Sequence, residues 1–488
     1  MENQDKKPNI IAIIGAIVLL VLAVVGLSYA FFSAFIKNGE TDPSIEGTGA
    51  NLSLVYTDGK SVITSSNIMP GWSATKTFTV TNNGEADTYY KLNISNITNE
   101  FVDGGLTFSI ASADGGTSVA EQAVGTTTRT ISPSITIAEG ATHTYTVTAK
   151  YINLNTDQTP DLGKSFSYTI GIEASQKPTF KDIILANNEV KTPITTPGAA
   201  VSTSSEALLA SAEDDYGTSY YFRGAVTNNY VEFANKCWRI VRIGGDNTVK
   251  LILHNDNISN ASNPCSSANN STTAAFVHYD GNIYKSEFNS NYNDNAYVGF
   301  MYGTPGSTTY EATHANTNKS TILTNLETWY NNNLKTYESV IDNNVFCNDK
   351  SLSSGSGYSA NATDYAARER LYTSKIPSLK CNGELSKITS KIGLITADEL
   401  AFAGYAVRGY ITTSYLKENA TGYSWWSLSP AGFYNKSLSY VFRVRSDNDA
   451  IDICNVNVDS SVRPVISLVS SITISGVSGT SEDPYVVK

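Results

Sequence analysis

Two tryptophans stand side by side in SWWSLSP, residues 424–430. An indole offers an apolar face and a polar N–H edge, a combination suited to stacking on a sugar or a peptide group. Adjacent residues on an extended segment point to opposite faces, so the two rings cannot share one environment there. Trp426 has the parity of Leu428 and is expected in the core, whereas Trp425 has the parity of Ser427 and is expected on the more polar face. Trp425, with Tyr434 and Asn435 beyond it, forms the candidate ligand-binding set. The competing reading is that Trp425 also packs beneath a loop, since large aromatics are highly buried on average.

Other chemistry-bearing residues fit no catalytic template. The four histidines are His143, His254, His278 and His314, and no H-E-x-x-H, G-x-S-x-G, P-loop or G-x-G-x-x-G is present. No catalytic residue, metal ligand or cofactor is therefore assigned. His143 and His278 lie in strand-like runs and read as packed imidazoles. Asp398 and Glu399 are adjacent carboxylates, but they fall in the first turn of an expected helix, where the macrodipole favours them without acid/base work. Asn293, Asp294 and Asn295 offer oxygens, yet the turn glycine and distal glutamate of a calcium loop are missing, so they read as a solvated polar loop.

The five cysteines, Cys237, Cys265, Cys347, Cys381 and Cys454, all lie in the second half of the chain and include no C-x-x-C. Locality favours pairing Cys237 with Cys265 and Cys347 with Cys381, leaving Cys454 over; four cysteines still allow three connectivities. A net charge of −11 over 488 residues provides no basic stripe for phosphates, which argues against a nucleic-acid partner.

The elements that must hold these residues are mostly strands. Residues 1–37 carry Lys6 and Lys7 ahead of an uncharged run over residues 10–36, long enough to cross a bilayer. The run reads as a signal anchor, or as a signal peptide cleaved after Ala30, with the bulk of the chain outside the cell. Residues 45–175 alternate apolar and polar, as in TKTFTVT and THTYTVTAK, and predict an immunoglobulin-like β-sandwich. Residues 176–215, with three prolines and a Ser/Ala-rich run, read as a linker. Residues 216–488 mix strands with two helices, an α+β pattern. A hairpin pairs residues 237–243 with 248–253. Ile322, Leu326, Trp329, Tyr330 and Leu334 mark one helix, and Thr396 with Glu399 forms a capping box for the other. The tail reads as a three-strand meander.

Two resemblances add to this reading. The leader GLSYAFFSA followed by SNIMPGWSATKTFTVTNNGEADTYYKLNI resembles the camelysin and biofilm-fibre family of Gram-positive surface proteins, whose leader is cut by a dedicated signal peptidase. Metal-dependent protease activity is attached to that family. This module holds only His143 and no zinc motif, so the activity is not carried over. Further on, IGLITADELAFAGYA, WWSLSPA, FRVRSD and VRPVISL, in that order, resemble a domain of bacterial surface proteins related to the formylglycine-generating enzyme and C-type lectin-like folds. The paired redox cysteines of the enzyme have no counterpart in this sequence.

Three functions follow as expectations. The first is a non-catalytic adhesion or ligand-binding protein, whose Tyr- and Asn-rich loops contact an extracellular glycan or peptide. It would be held at the cell membrane through its N-terminal helix. The second is a structural subunit of a surface or biofilm fibre, self-associating through the sandwich. The third is a secreted oxidase or protease.

Overall fold

Alternation along Trp72–Asn82 sets the first layer: Phe78 and Val80 are buried while the intervening threonines face outward. The computed structural model describes residues 54–58, 68–102, 104–175, 177–408, 413–472, 474–475 and 478–487. The expected leader, residues 1–37, lies outside the described residues. No helix among the described residues is long and apolar enough to cross a membrane. The chain is mainly β with a few helices and divides into two compact units, Met1–Lys177 and Pro178–Lys488.

The first unit holds β1 (Leu54–Asp58), β2 (Trp72–Asn82), β3 (Thr88–Asn99), β4 (Leu106–Ser112), β5 (Val119–Ala123), β6 (Arg129–Ile137), β7 (Thr142–Tyr151) and β8 (Phe166–Ser175). They form two sheets, β1-β2-β7-β4-β5 and β6-β3-β8, with every pairing antiparallel. Phe78, Val80 and Tyr145 from the first sheet meet Leu92, Ile94 and Ile135 from the second in one core. His143 is packed there, its Nδ1 2.8 Å from the Tyr90 hydroxyl, which also lies 2.6 Å from that of Tyr145.

The second unit opens with α1 (Phe180–Asn187), capped by Thr179 and Asp182, and then β9 (Ala207–Asp214). This is where the sequence reads as a linker. Phe180 and Ile184 are buried in the main core and β9 pairs along its length with β10 (Gly217–Gly224), so the prolines mark corners of a packed segment. Next come β11 (Tyr230–Phe233), β12 (Lys236–Ile243) and β13 (Val249–Asn255), with the expected hairpin between the last two.

Helix α2 (Thr321–Asn333) buries Ile322, Leu326, Trp329 and Tyr330 as their spacing requires. Farther along stand β14 (Thr363–Tyr365), α3 (Ala397–Phe402), β15 (Trp425–Tyr434), β16 (Leu438–Val444), β17 (Ile451–Asn455) and β18 (Val465–Leu468). An eight-stranded sheet carries β9 to β13 and β18, and a seven-stranded sheet carries β14 to β17. The expected tail meander is therefore split. β16 pairs with β17, but β18 crosses to β13 in the other sheet. Alternation specifies a buried face; it does not specify which sheet a strand joins.

Candidate functional site

Trp425 and Trp426 are both fully buried. Strand β15 is covered on both faces, so its parity separates two buried environments and not core from surface. Trp426 sends its indole N–H to the Ser286 carbonyl at 2.7 Å and meets Phe288 edge-on. The Trp425 ring lies beneath the Arg463 guanidinium, 5.1 Å from its centroid, and has no free face to offer a ligand. Tyr434 closes the far end of β15, its hydroxyl donating to Asp364 at 2.7 Å. Asn435 is exposed in the following turn, with φ of 55°. A ten-residue strand spans roughly 30 Å, so Trp425 stands far from the other two. The three expected ligand residues do not form one site.

Tyr423, two residues before the tryptophan pair, lies instead on a groove of about 570 Å³. Its walls are the end of β13, the Asn-rich stretch after it, and a short hairpin pairing His278–Tyr279 with Asn282–Ile283. The Tyr423 ring packs edge-on against Phe276, and the Lys285 ammonium stands 5.2 Å from its centroid.

The asparagines that suggest a loose loop are fixed by local hydrogen bonds. Asn255 donates to the carbonyls of Pro264 and Asn269, and Asn257 donates to Asn235 and Ala261. The Cys237–Cys265 disulfide ties the same stretch to β12. Asp256 accepts from Lys236 Nζ at 2.7 Å and from the His278 backbone N–H at 2.9 Å. Such anchoring holds the groove open without a ligand, as binding sites on rigid scaffolds require. Nothing in the sequence pattern marks Tyr423, because its role depends on the β13 loop folding opposite it.

A second cluster surrounds the start of α3. Thr396 and Glu399 form the expected capping box, but both carboxylates of that turn are also buried in ion pairs. Glu399 contacts Lys250 at 2.6 Å and Arg242 at 3.0 Å; Asp398 and Asp349 share Arg370. Burial would raise the Glu399 carboxyl, yet Lys250 and Arg242 outweigh it and hold the group down at about 2. The Cys347–Cys381 disulfide lines the same place, completing the two pairings that locality favours and leaving Cys454 free. Only about 40 Å³ remains there, room for about three waters. The cluster binds β12 and β13 to α3 and is not shaped for a substrate.

The Asn293–Asn295 stretch also differs from expectation. Asp294 and Asn295 are buried: Asp294 accepts from the N–H groups of Ala296 and Gly306, and Asn295 donates to the carbonyls of Ser359 and Asn361. These oxygens and amides organise loops. Among the described residues no group of three or more His, Cys, Asp or Glu side chains is placed to hold a metal ion.

No protein-family model matches this chain, and no curated protein matches it significantly.

Proposed function

We propose that this chain is a non-catalytic, surface-displayed ligand-binding protein of a Gram-positive-type bacterium, in which an immunoglobulin-like sandwich presents a lectin-like second unit. The observation that carries the reading is the pre-formed polar groove bounded by Tyr423, Asp256 and the His278 hairpin. A half-buried aromatic ring beside hydroxyls and amides gives contact area and hydrogen bonds to an extracellular glycan or peptide. Two disulfides favour an oxidising compartment, as does the uncharged N-terminal run after Lys6 and Lys7.

The test is a screen of the full chain against glycan and peptide arrays, repeated with Tyr423→Ala. The expected outcome is a ligand class whose binding falls at least roughly ten-fold in the variant while its melting temperature stays within a few degrees of the parent. Ligands that bind equally to both proteins would remove the groove from the reading. An absence of any ligand would count against the function itself.

A further inference from the structure

The groove's hydrogen-bonding groups are unevenly committed. Its carboxylate is already neutralised: Asp256 is ion-paired with Lys236 and accepts the His278 N–H, and both of its side-chain oxygens are engaged. The cation opposite is free. Lys285 is exposed, forms no ion pair among the described residues, and rests against the Tyr423 ring. The hydroxyls of Ser259, Ser271 and Thr273 line the same groove and make no hydrogen bond to another described residue. His278 packs its ring against the same carboxylate, Nδ1 standing 3.7 Å from Asp256 on a side chain only 6% exposed, so it walls the groove and leaves the hydrogen bonding to the hydroxyls. Asp280, at the hairpin tip, does not line the groove.

We infer that the groove takes an acidic saccharide, with its carboxylate or sulfate on Lys285 and its hydroxyls on the uncommitted serine and threonine groups. This inference rests on the ligand-binding reading of the same groove. A charge-assisted hydrogen bond from an ammonium is stronger than a neutral one, so an anionic group gains most at Lys285. The Tyr423 ring, which lines the groove, adds apolar contact area for the pyranose. A peptide is disfavoured because strand addition needs a long open ladder edge, and the hairpin here has strands of two residues each.

The experiment prints uronic-acid, sialic-acid and sulfated oligosaccharides beside their neutral parents and probes them with the full chain. Binding should concentrate on the acidic members, weaken as salt rises from about 0.02 M to about 0.5 M, and fall roughly ten-fold or more with Lys285→Met. Lys285→Arg should recover most of it. Neutral parents that bind as well as the acidic members, with binding lost in Tyr423→Ala, would overturn the acidic-ligand inference and keep the ligand-binding reading. Acidic peptides bound through the groove in place of sugars would overturn the saccharide assignment. Failure of every glycan and peptide would overturn both.

Discussion

Trp425 shows how a single residue can carry a sound periodicity argument and still sit where that argument does not put it. Parity on β15 separates Trp425 from Trp426, but both faces of the strand are covered, so both rings are core. The Trp426→Ala and Trp425→Ala variants should each lose about 3–5 kcal/mol in chemical denaturation, with neither spared. Phe substitutions separate the two environments. The Trp426 N–H serves the buried Ser286 carbonyl, whereas the Trp425 N–H has no partner among the described residues. Removing a paired donor strands its acceptor, so Trp426→Phe should cost about 1 kcal/mol more than Trp425→Phe. Equal costs would show that the Ser286 contact contributes little. The ring that does line the groove, Tyr423, lay outside the residues that parity singled out. Its importance arises from a loop more than 140 residues earlier in the chain, and no local pattern encodes that contact.

Helix α3 is the element where sequence and structure agree at one level and part at the next. Its capping box is local, three residues apart, and was legible as a spacing. The partners of its carboxylates were not, because Arg242 and Lys250 arrive from β12 and β13, and a charge on a strand does not announce which helix end it will meet. The same limit explains β18, whose apolar run was legible as a strand while its sheet was not. The ion pairs make a pH prediction. Glu399 in the folded chain ionises at about 2, below its ordinary value of 4.5. The unfolded chain therefore takes up the proton first on acidification. The stability contributed by this group is fully present above about pH 4.5 and is lost as pH falls toward about 2. Denaturation midpoints of the parent should drop across that window, and those of Glu399→Gln should drop less steeply. At pH 7 the variant should be less stable by about 3–5 kcal/mol, because Lys250 and Arg242 lose a buried partner. Parallel pH profiles for the two proteins would refute the assignment.

At the scale of the whole molecule, cysteine is distributed unequally between the two units. All five cysteines fall after residue 177, and both disulfides close loops inside the second unit, with separations of 28 and 34 residues. The first unit draws its stability from an interdigitated core of aromatic and branched side chains and has no cross-link to lose. By chain entropy, each disulfide contributes roughly 3–4 kcal/mol, chiefly by restricting the unfolded chain. Reduction should therefore act on one unit alone. Scanning calorimetry of the full chain should resolve a transition for each unit, and a reductant should lower the transition of the second unit by several degrees or more while leaving that of the first in place. Limited proteolysis under reducing conditions, read by mass, identifies which unit has opened: cleavages should gather after residue 177, beginning in the stretch held by Cys237–Cys265. Because that stretch forms one wall of the groove, ligand binding should be lost at temperatures where the first unit is still folded. A reductant that shifts both transitions equally would show that the units unfold as one, and one that shifts neither would deny the disulfides their part in stability.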